Sequence, residues 1–442
     1  MSQAANTTVA IAGGGPAGIM LGLLLARAGV DVTVLEKHSD FLRDFRGDTV
    51  HPSTLQVLDE LGLAEELEKR PHRKVTSLSI ARGDRPIVQA DLHRLPVKYP
   101  HIAMMPQWDF LDMLADHART YTGFRLLTDS EATGIVEEGG AVRGLRYRSR
   151  PPQGEGADAP AEGGAGDGEE HELRAVLSVA ADGRDSALRD AAGMVPTELG
   201  APMDVLWLRI PRRSGEKSGL NGALGEGAMA VAIDRGDYWQ VAYVIPKGGY
   251  DAVRAEPIES LQDRLLAVLP FLGEDVRAVD DWSKVAFLNV ASDRLASWYR
   301  PGLLAIGDAA HAMTPIGGVG INLAVQDAVA TANLLSRQLL EAQSDADRFA
   351  KTLNPELLAR VQRRRQLPTV GTQAVQQLLQ RQIISRVLAD DLDEGRLPLP
   401  LRAVAGTSAW SYLVARVMMV GLRPEHVHSP AVATPAARPG ES

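Results

Sequence analysis

The feature that most constrains this chain is a β-turn-α-β unit at its beginning. Residues 7–12 (TTVAIA) predict a buried strand, and residues 30–37 (VDVTVLEK) predict a second strand after an intervening helical pattern. The turn after the first strand reads GGGPAG, in which Gly13, Gly15 and Gly18 form a G-x-G-x-x-G pattern. In this context the three glycines provide a tight turn, close approach to a pyrophosphate and packing of the helix. The unit therefore predicts dinucleotide binding.

An acidic residue completes the unit. Glu36 lies at the end of the second predicted strand, where a carboxylate accepts hydrogen bonds from ribose hydroxyls. Backbone amides at the start of the helix, around Pro16 and Ala17, face the pyrophosphate. Because Glu36 also repels a 2′-phosphate, we expect NADP to be a poor occupant of this site.

Two later strand ends repeat the combination of a carboxylate with glycine. Residues 173–181 predict a strand ending at Asp182-Gly183, although Asp185 capping a helix is a competing interpretation of that segment. The apolar run LLAI predicts another strand, which ends at Gly307-Asp308 and is followed by Pro315, Gly317, Gly318 and Gly320. Ligands of α/β sheets bind at the carboxyl ends of strands, so we expect all three segments to contribute to one site.

The composition excludes several function classes. The 442 residues contain no cysteine, which excludes disulfides, thiolate metal sites, cysteine nucleophiles and a flavin attached through sulfur. A formal net charge of -9 argues against a nucleic-acid partner. The chain shows neither a signal-peptide pattern nor the roughly 18 uncharged apolar residues that a membrane span needs. We therefore expect a cytoplasmic protein with no metal site and no membrane partner.

Together the motifs resemble the three fingerprints of the FAD-dependent aromatic hydroxylases. These are the single-component, class A flavoprotein monooxygenases with the p-hydroxybenzoate hydroxylase fold. The resemblance rests on the first glycine motif with Glu36, the DG at 182–183, and the GD at 307–308 followed by GGVGIN, all in the same order and spacing. It covers residues 7 to about 390, with Thr314-Pro315 standing where the family often has two prolines.

The resemblance implies an α/β fold in which two kinds of domain interleave. A Rossmann-like FAD-binding domain is expected at 1–74, 107–194 and 291–340, with a disordered insertion at 149–172. An antiparallel β-sheet substrate domain is expected at 75–106 and 195–290. C-terminal helices at 341–428 and a disordered tail at 429–442 complete the expected division. Within it we predict helices from about Ser53, as N-cap, to Lys69 and over 107–121.

The family pattern also implies non-covalent contacts with FAD from residues throughout the chain. Arg46 would pair with a phosphate, unless it is a simple surface arginine, and Asp308 would hold the ribityl hydroxyls. Gln107 precedes a predicted helix, and Ala132 would lie near the adenine. The expected cofactor-binding residues are Gly13, Gly15, Pro16, Ala17, Gly18, Glu36, Lys37, Arg46, Gln107, Ala132, Asp182, Asp308, Gly318, Gly320, Ile321 and Asn322.

The implied reaction is hydroxylation of an aromatic or polyketide-like small molecule with NAD(P)H and O2, through a flavin hydroperoxide. NADH or NADPH would act as a transient co-substrate without a Rossmann domain of its own. Pro315 is expected beside the reactive edge of the flavin. His51 is a second catalytic candidate, with helix capping or surface exposure as the alternative; no catalytic base is identified. Five alternating residues could line a substrate pocket or pack in the core: Val205, Trp207, Trp239, Val241 and Tyr243.

Other assignments remain open at this level. A flavin-dependent oxidase, dehydrogenase or halogenase could use the same fold, and would differ in whether oxygen enters the product. A non-enzymatic binding protein, like the prenyl-protein escort family, would be colourless when purified. The triple arginine at 363–365 is interpreted as a solvated helix face. A monomer or a homodimer is expected.

Overall fold

A mostly parallel sheet lies at the centre of the fold. The computed structural model describes residues 5–42, 49–83, 85–150, 168–213, 219–225, 227–388 and 408–432. The strands of the central sheet are β1 (Ala5–Ala12), β2 (Val32–Leu35), β8 (Phe124–Leu127), β9 (Ser130–Glu138), β10 (Ala141–Ser149), β11 (Glu169–Ala180), β19 (Tyr299–Arg300) and β20 (Leu303–Ala305). Five of them run parallel in the order β20-β11-β1-β2-β8. The carboxyl ends of β1, β2, β11 and β20 therefore share one edge, where the predicted motifs follow them.

Helices cover this sheet, so its strands are buried. All four residues of β2 are buried, as parallel strands with covered faces require. The described α-helices are α1 (Pro16–Arg27), α2 (Pro52–Glu60), α3 (Ala64–Lys69), α4 (Gln107–Arg119), α5 (Ala187–Ala191), α6 (Tyr250–Arg254), α7 (Ile258–Val268), α8 (Gly320–Gln343), α9 (Pro355–Leu379), α10 (Ser385–Leu388) and α11 (Ser408–Met419). A π-helical turn, Gln380–Ile384, joins α9 to α10. No helix in the described ranges is long and apolar enough to cross a membrane.

A second sheet forms the layer opposite the predicted glycine loop. Its strands are β5 (Ser77–Arg82), β6 (Arg85–Asp91), β13 (Met203–Pro211), β14 (Leu220–Gly225), β15 (Ala228–Asp234), β16 (Tyr238–Pro246) and β17 (Val285–Leu288). They pair in the order β17-β13-β16-β15-β14-β5-β6, with a parallel β14–β5 pair in an otherwise antiparallel sheet. Two small sheets join β3 (Thr49–Val50), β7 (Ile102–Met104) and β4 (Arg73–Val75), and β12 (Pro196–Glu198) with β18 (Asp293–Leu295). The predicted interleaving of an antiparallel sheet into a parallel α/β domain is thus observed.

Several local expectations need correction. The helix expected from Ser53 is two helices, α2 and α3, because the chain turns at Gly62 with φ +76°. The N-cap of α2 is His51, not Ser53, since Pro52 already occupies the first helical turn. Helices α6 and α7 interrupt the expected run of strands at 195–290.

Both segments expected to be disordered are partly ordered. Strand β11 begins at Glu169, so residues 169–172 pair with β10, whereas 151–167 lie outside the described residues. In the expected tail, the Val432 N–H donates to the Arg27 carbonyl at 2.8 Å and Arg27 donates to the Ser429 carbonyl. These bonds attach the chain up to residue 432 to the end of α1, and residues 433–442 lie outside the described part.

Candidate functional site

The turn after β1 has room only for glycine at two positions. Gly13 has φ +99°, and a Cβ there would lie 2.3 Å from the Ala181 carbonyl oxygen. A Cβ on Gly18 would lie 1.9 Å from the Gly13 carbonyl oxygen, so α1 packs directly on the turn. At Gly15, by contrast, an added Cβ would meet no atom within 4 Å. No side chain caps this end of α1, so its first amides are candidate donors to a pyrophosphate.

Glu36 is held against the same turn. Its Oε2 accepts a hydrogen bond from the Gly14 N–H at 2.9 Å, and its Oε1 accepts from the His38 N–H at 3.1 Å. Lys37 beside it is exposed. The Glu36 carbonyl accepts from the Ser130 N–H at 2.8 Å, which brings the start of β9, with Ala132, to the end of β2. The structure therefore places these three predicted contacts around one strand end.

Asp182 shapes the second motif. Its Oδ1 accepts from the Ser186 hydroxyl at 2.5 Å and its Oδ2 accepts from the Leu188 N–H at 3.2 Å. Burial raises the pKa of Asp182, although its hydrogen bonds with Ser186 and Leu188 act in the opposite direction. The N-cap of α5 is Ser186, which accepts from the Arg189 N–H, so the capping interpretation for Asp185 is wrong. The Asp182 carboxylate thus orders the loop that lies against Gly13.

The third motif meets the other two at Asp308. This residue lies in a 3-10 turn, Gly307–Ala309, directly after β20, and it is partly exposed. Its Oδ2 is 3.8 Å from Nε of Arg184 in the second motif. A Cβ on Gly307, which has φ +59°, would lie 3.1 Å from the Ala17 side chain in the first motif. The three segments that the sequence singled out are therefore in contact.

The glycine loop after Pro315 is a fourth segment that borders the site. It forms a 3-10 turn, Ile316–Gly318, before α8 begins at Gly320. Thr49 donates its hydroxyl to the Gly318 carbonyl at 2.9 Å, and a Cβ on Gly318 would lie 2.3 Å from Thr49 Oγ1. Only glycine permits this approach, because Gly318 also has φ +63°. Pro315 is partly buried at the start of the loop.

The start of α8 offers backbone amides, while its side chains hold neighbouring helices. Asn322 Oδ1 accepts hydrogen bonds from Ser53 at 2.6 Å and from Thr54 at 2.9 Å, so this side chain ties α8 to α2. No side chain caps the first turn of α8, which leaves the amides of Gly320 and Ile321 as candidate donors to an anionic or carbonyl group. The expected contact of Asn322 with FAD is therefore one of its backbone, because its side chain already binds Ser53 and Thr54.

His51 is neither exposed nor a side-chain cap. It is fully buried, and its Nδ1 donates to the Met418 carbonyl of α11 at 3.2 Å. Burial lowers the pKa of His51 to about 4, although the Met418 and Gly317 carbonyls act to raise it. Its Nε2 is buried without a hydrogen-bond partner among the described residues. A neutral histidine with a free acceptor thus lies next to the glycine loop.

Sequence reasoning missed a buried ionic network beneath Asp308. The Asp327 carboxylate of α8 accepts hydrogen bonds from the Gly307 N–H at 3.1 Å, from His311 at 2.6 Å and from Arg365 at 3.0 Å. Burial acts to raise the pKa of Asp327, but its contacts with His311 and Arg365 outweigh burial and lower it. Arg365 also lies 3.5 Å from Glu425. The network fixes Gly307, the neighbour of Asp308, to the C-terminal part of the chain.

The interpretation of residues 363–365 as a solvated face is therefore wrong for two of the three arginines. Arg365 is 1% exposed, and Arg364 makes two hydrogen bonds to the nearly buried Glu425. Only Arg363 fits the expectation, since it is largely exposed and 3.5 Å from Glu356. A signal was present in the sequence: Asp327 is the only charged residue from Gly320 to Ser336 of an apolar helix, and a buried carboxylate requires a partner.

The register of the second sheet corrects the expected pocket lining. Trp239, Val241 and Tyr243 pack against α7 on the far face of the sheet. On the near face, Val205 packs with Ala242 and Val290, whereas Trp207 packs with residues of β15, the glycine loop and α11. The apolar residues nearest the loop in this packing are Trp207, Val231, Ile233, Met313, Ile316, Val319 and Met418. They form the apolar cluster, a name used below for these seven residues between the loop and this sheet face.

The two remaining cofactor candidates are less constrained. Gln107 is the first residue of α4 and is partly buried. Arg46 lies outside the described residues. Three features of the other positions fit a dinucleotide. These are glycine turns that have no room for a side chain, two helix starts without a side-chain cap, and carboxylates at the ends of strands.

Comparison with known proteins identifies the dinucleotide that this site binds. Residues 6–347 match the family model described as FAD binding domain. The chain belongs to the FAD-binding-domain family. Among its relatives, a 6-methylpretetramide 4-monooxygenase of Streptomyces rimosus is 32% identical, over 82% of this chain and 84% of the relative. A para-nitrophenol 4-monooxygenase of Pseudomonas sp. strain WBC-3 is 25% identical, over 72% of this chain and 75% of the relative.

The solved structures agree on the fold of this FAD-binding protein. The crystal structure of PqsL, a probable FAD-dependent monooxygenase from Pseudomonas aeruginosa, superposes with a TM-score of 0.69 at 21% identity, covering 88% of this chain and all of that one. The predicted α/β fold with an FAD-binding domain is confirmed, as are FAD as cofactor and the class of FAD-dependent monooxygenase. The oxidase, dehydrogenase and halogenase alternatives are not favoured by the relatives.

Proposed function

We propose that this monooxygenase hydroxylates an aromatic, polyketide-like small molecule bound beside the apolar cluster. The observation that carries the proposal is the cluster itself, in which Trp207, Val231 and Ile233 of the sheet pack with Ile316 and Val319 of the glycine loop. Apolar side chains with few charges suit an aromatic ring. The named substrates of two relatives, 6-methylpretetramide and para-nitrophenol, support a substrate of this class.

Each of the three motifs would hold a different part of FAD. The uncapped start of α1 would receive the pyrophosphate, and Glu36 would accept hydrogen bonds from the adenosine ribose. Asp308 would accept from the ribityl hydroxyls, and the backbone around Gly318 and Gly320 would hold the ring system. FAD held there would supply the redox chemistry, in which electrons come from NADH or NADPH, one oxygen atom of O2 enters an electron-rich ring and the other leaves as water.

The chain would position the substrate and exclude water from it. Pro315 and the glycine loop lie on one side of the apolar cluster, and the second sheet and α11 contribute its other residues. Exclusion of water strengthens every polar interaction inside and suppresses hydrolytic side reactions. His51 is neutral at physiological pH, so it adds no charge at the loop and can accept a hydrogen bond through Nε2.

Oxygen incorporation tests the proposal directly. The holoenzyme is supplied with NADH or NADPH, ¹⁸O2 and a panel of phenols, naphthols and hydroxyanthraquinones. The expected result is faster NAD(P)H consumption with at least one aromatic compound, together with a product that carries a single ¹⁸O atom. Stoichiometric hydrogen peroxide and no labelled product with every compound would contradict hydroxylation of this substrate class.

A further inference from the structure

A pocket of about 260 Å³ lies between α2 and the C-terminal part of the chain. Four segments line it: the start of α2, residues 96–98 before β7, the end of α11, and residues 424–426 beyond α11. None of the described cofactor candidates lines this pocket, so it is separate from the FAD motifs. Its volume is below the roughly 300–1,000 Å³ of pockets for drug-sized ligands, so it suits a smaller molecule.

One part of the pocket is apolar. Pro52, Pro96 and Pro424 bring proline rings to it from three different segments, and Val97 and Val420 lie beside them. Proline has almost no side-chain entropy to lose when a ligand covers it. This part of the pocket therefore suits the apolar body of a small organic molecule, and in particular a ring.

Two cations line the same pocket. Arg416 is exposed, and its side chain makes neither a hydrogen bond nor an ion pair with the described residues. Lys98 is 59% exposed and donates to Asp59 Oδ2 at 2.6 Å, and this bond raises the pKa of Lys98. An ammonium group has three donors, so Lys98 can bind a further acceptor while it stays charged.

The carboxylate that lines the pocket is already compensated. Glu425 is only 4% exposed, and it accepts hydrogen bonds from Arg364 at 2.7 and 3.0 Å. Arg365 lies 3.5 Å from the same carboxylate. At the rim, Glu60 is bound by His426 at 2.6 Å. An anion that enters the pocket therefore meets two accessible cations, whereas the carboxylates near them already have partners.

We propose that this pocket binds a small organic anion, with the oxyanion held by Lys98 and Arg416 and the apolar body packed on the proline rings. The ligand class is a carboxylate or phosphate ester about the size of one substituted ring. Hydrogen bonds between such cations and an oxyanion are roughly twice as strong as those between neutral groups. The proposal does not depend on hydroxylation, because the pocket is separate from the FAD motifs.

The position of the pocket connects it to the cofactor loop. Ser53, which lines the pocket, donates its hydroxyl to Asn322 in the first turn of α8 at 2.6 Å. Arg416 belongs to α11, whose Met418 packs with the glycine loop. A bound anion would bridge α2 and α11, and because the unfolded chain has no such pocket, the ligand should stabilise the folded protein.

Equilibrium dialysis of the oxidised holoenzyme at low ionic strength tests the proposal without turnover. The probes are radiolabelled benzoate and radiolabelled phenyl phosphate, and benzyl alcohol is an uncharged competitor of similar size. We expect saturable binding of at least one probe, with displacement by benzyl alcohol at least about tenfold weaker than by the unlabelled probe. The probe that binds identifies the oxyanion as carboxylate or phosphate. Saturable binding of neither probe, or equal displacement by benzyl alcohol, would overturn the proposal.

Two arginine variants locate the bound anion. Arg360 of α9 is also exposed and also makes no side-chain hydrogen bond or ion pair with the described residues, but it does not line the pocket. Arg416→Gln and Arg360→Gln therefore remove the same charge from comparable surroundings. We expect the affinity for the probe to fall about tenfold in Arg416→Gln and to stay unchanged in Arg360→Gln. Equal affinities in the two variants would place the anion elsewhere, for example beside the flavin, and would refute this site.

Discussion

Replacement of Arg365 by methionine should destabilise this protein far more than the same replacement at the neighbouring Arg363. Methionine keeps much of the side-chain length while removing the charge. In the structure, Arg365 donates from Nε to Asp327 at 3.0 Å and from Nη1 to the Arg423 carbonyl at 3.1 Å. Because Asp327 is completely buried, its carboxylate would lose its arginine partner without gaining water.

The magnitude follows from this burial. Removing one partner of a buried ion pair costs about 3–5 kcal/mol, since the other charge stays buried and uncompensated. Arg363 is 64% exposed and its partner Glu356 is 71% exposed, so the loss of that pair should cost less than about 1 kcal/mol. Urea denaturation followed by tryptophan fluorescence gives both free energies of unfolding.

A double variant separates the charge effect from packing. Asp327→Asn combined with Arg365→Met removes both charges, so it should destabilise the protein less than the sum of the two single replacements. We also expect Arg365→Met to bind FAD more weakly, because Asp327 holds the Gly307 N–H beside Asp308. A free energy of unfolding for Arg365→Met within 1 kcal/mol of that for Arg363→Met would refute this reasoning.

Three further predictions concern the cofactor site and its surroundings. Asp308→Ala should weaken FAD binding at least tenfold, measured by flavin fluorescence in a titration of the apoprotein, and unchanged retention of flavin would remove the ribityl assignment. Gly318→Ala should lower the flavin content of the purified protein, since its Cβ would lie 2.3 Å from Thr49 Oγ1; a flavin content equal to that of the unaltered protein would show that the loop can shift. Between pH 6.5 and about 4, the unfolded chain binds a proton at His51 that the folded protein excludes, so this contribution to stability is present above pH 6.5 and is lost as the pH falls. His51→Asn should therefore flatten the acid loss of stability by about 3 kcal/mol, since each unit of the shift from 6.5 to about 4 corresponds to about 1.4 kcal/mol, and parallel curves for the two proteins would contradict the burial argument.

The nucleotide-binding half of the site could be predicted because its signals are local. Gly18 must be glycine because it contacts Gly13 within one β-turn-α unit, and Gly13 itself has a local φ of +99°. Asp308 could be grouped with them because parallel strands present their carboxyl ends at one edge. The sequence thus determined the FAD-binding fold, the three motifs and the chemistry of the cofactor.

The sequence could not predict which side chains pair when the two residues lie far apart along the chain. Three consecutive arginines are equivalent in sequence, and only the packing of α9 on α8 places Arg365 against Asp327 and leaves Arg363 in water. Asp182 is a carboxylate at a strand end like Asp308, yet its oxygens are used by Ser186 and Leu188.

The substrate side of the site was decided by tertiary structure for the same reason. Trp207 and Trp239 follow equally alternating patterns, but strand register sends them to opposite faces of the second sheet. Gln373 and Gln376 are chemically identical, and only the positions of Arg294 and Ile316 make one amide complete and leave the other with a free acceptor. Local sequence specifies backbone geometry, whereas which polar atoms find partners depends on long-range packing.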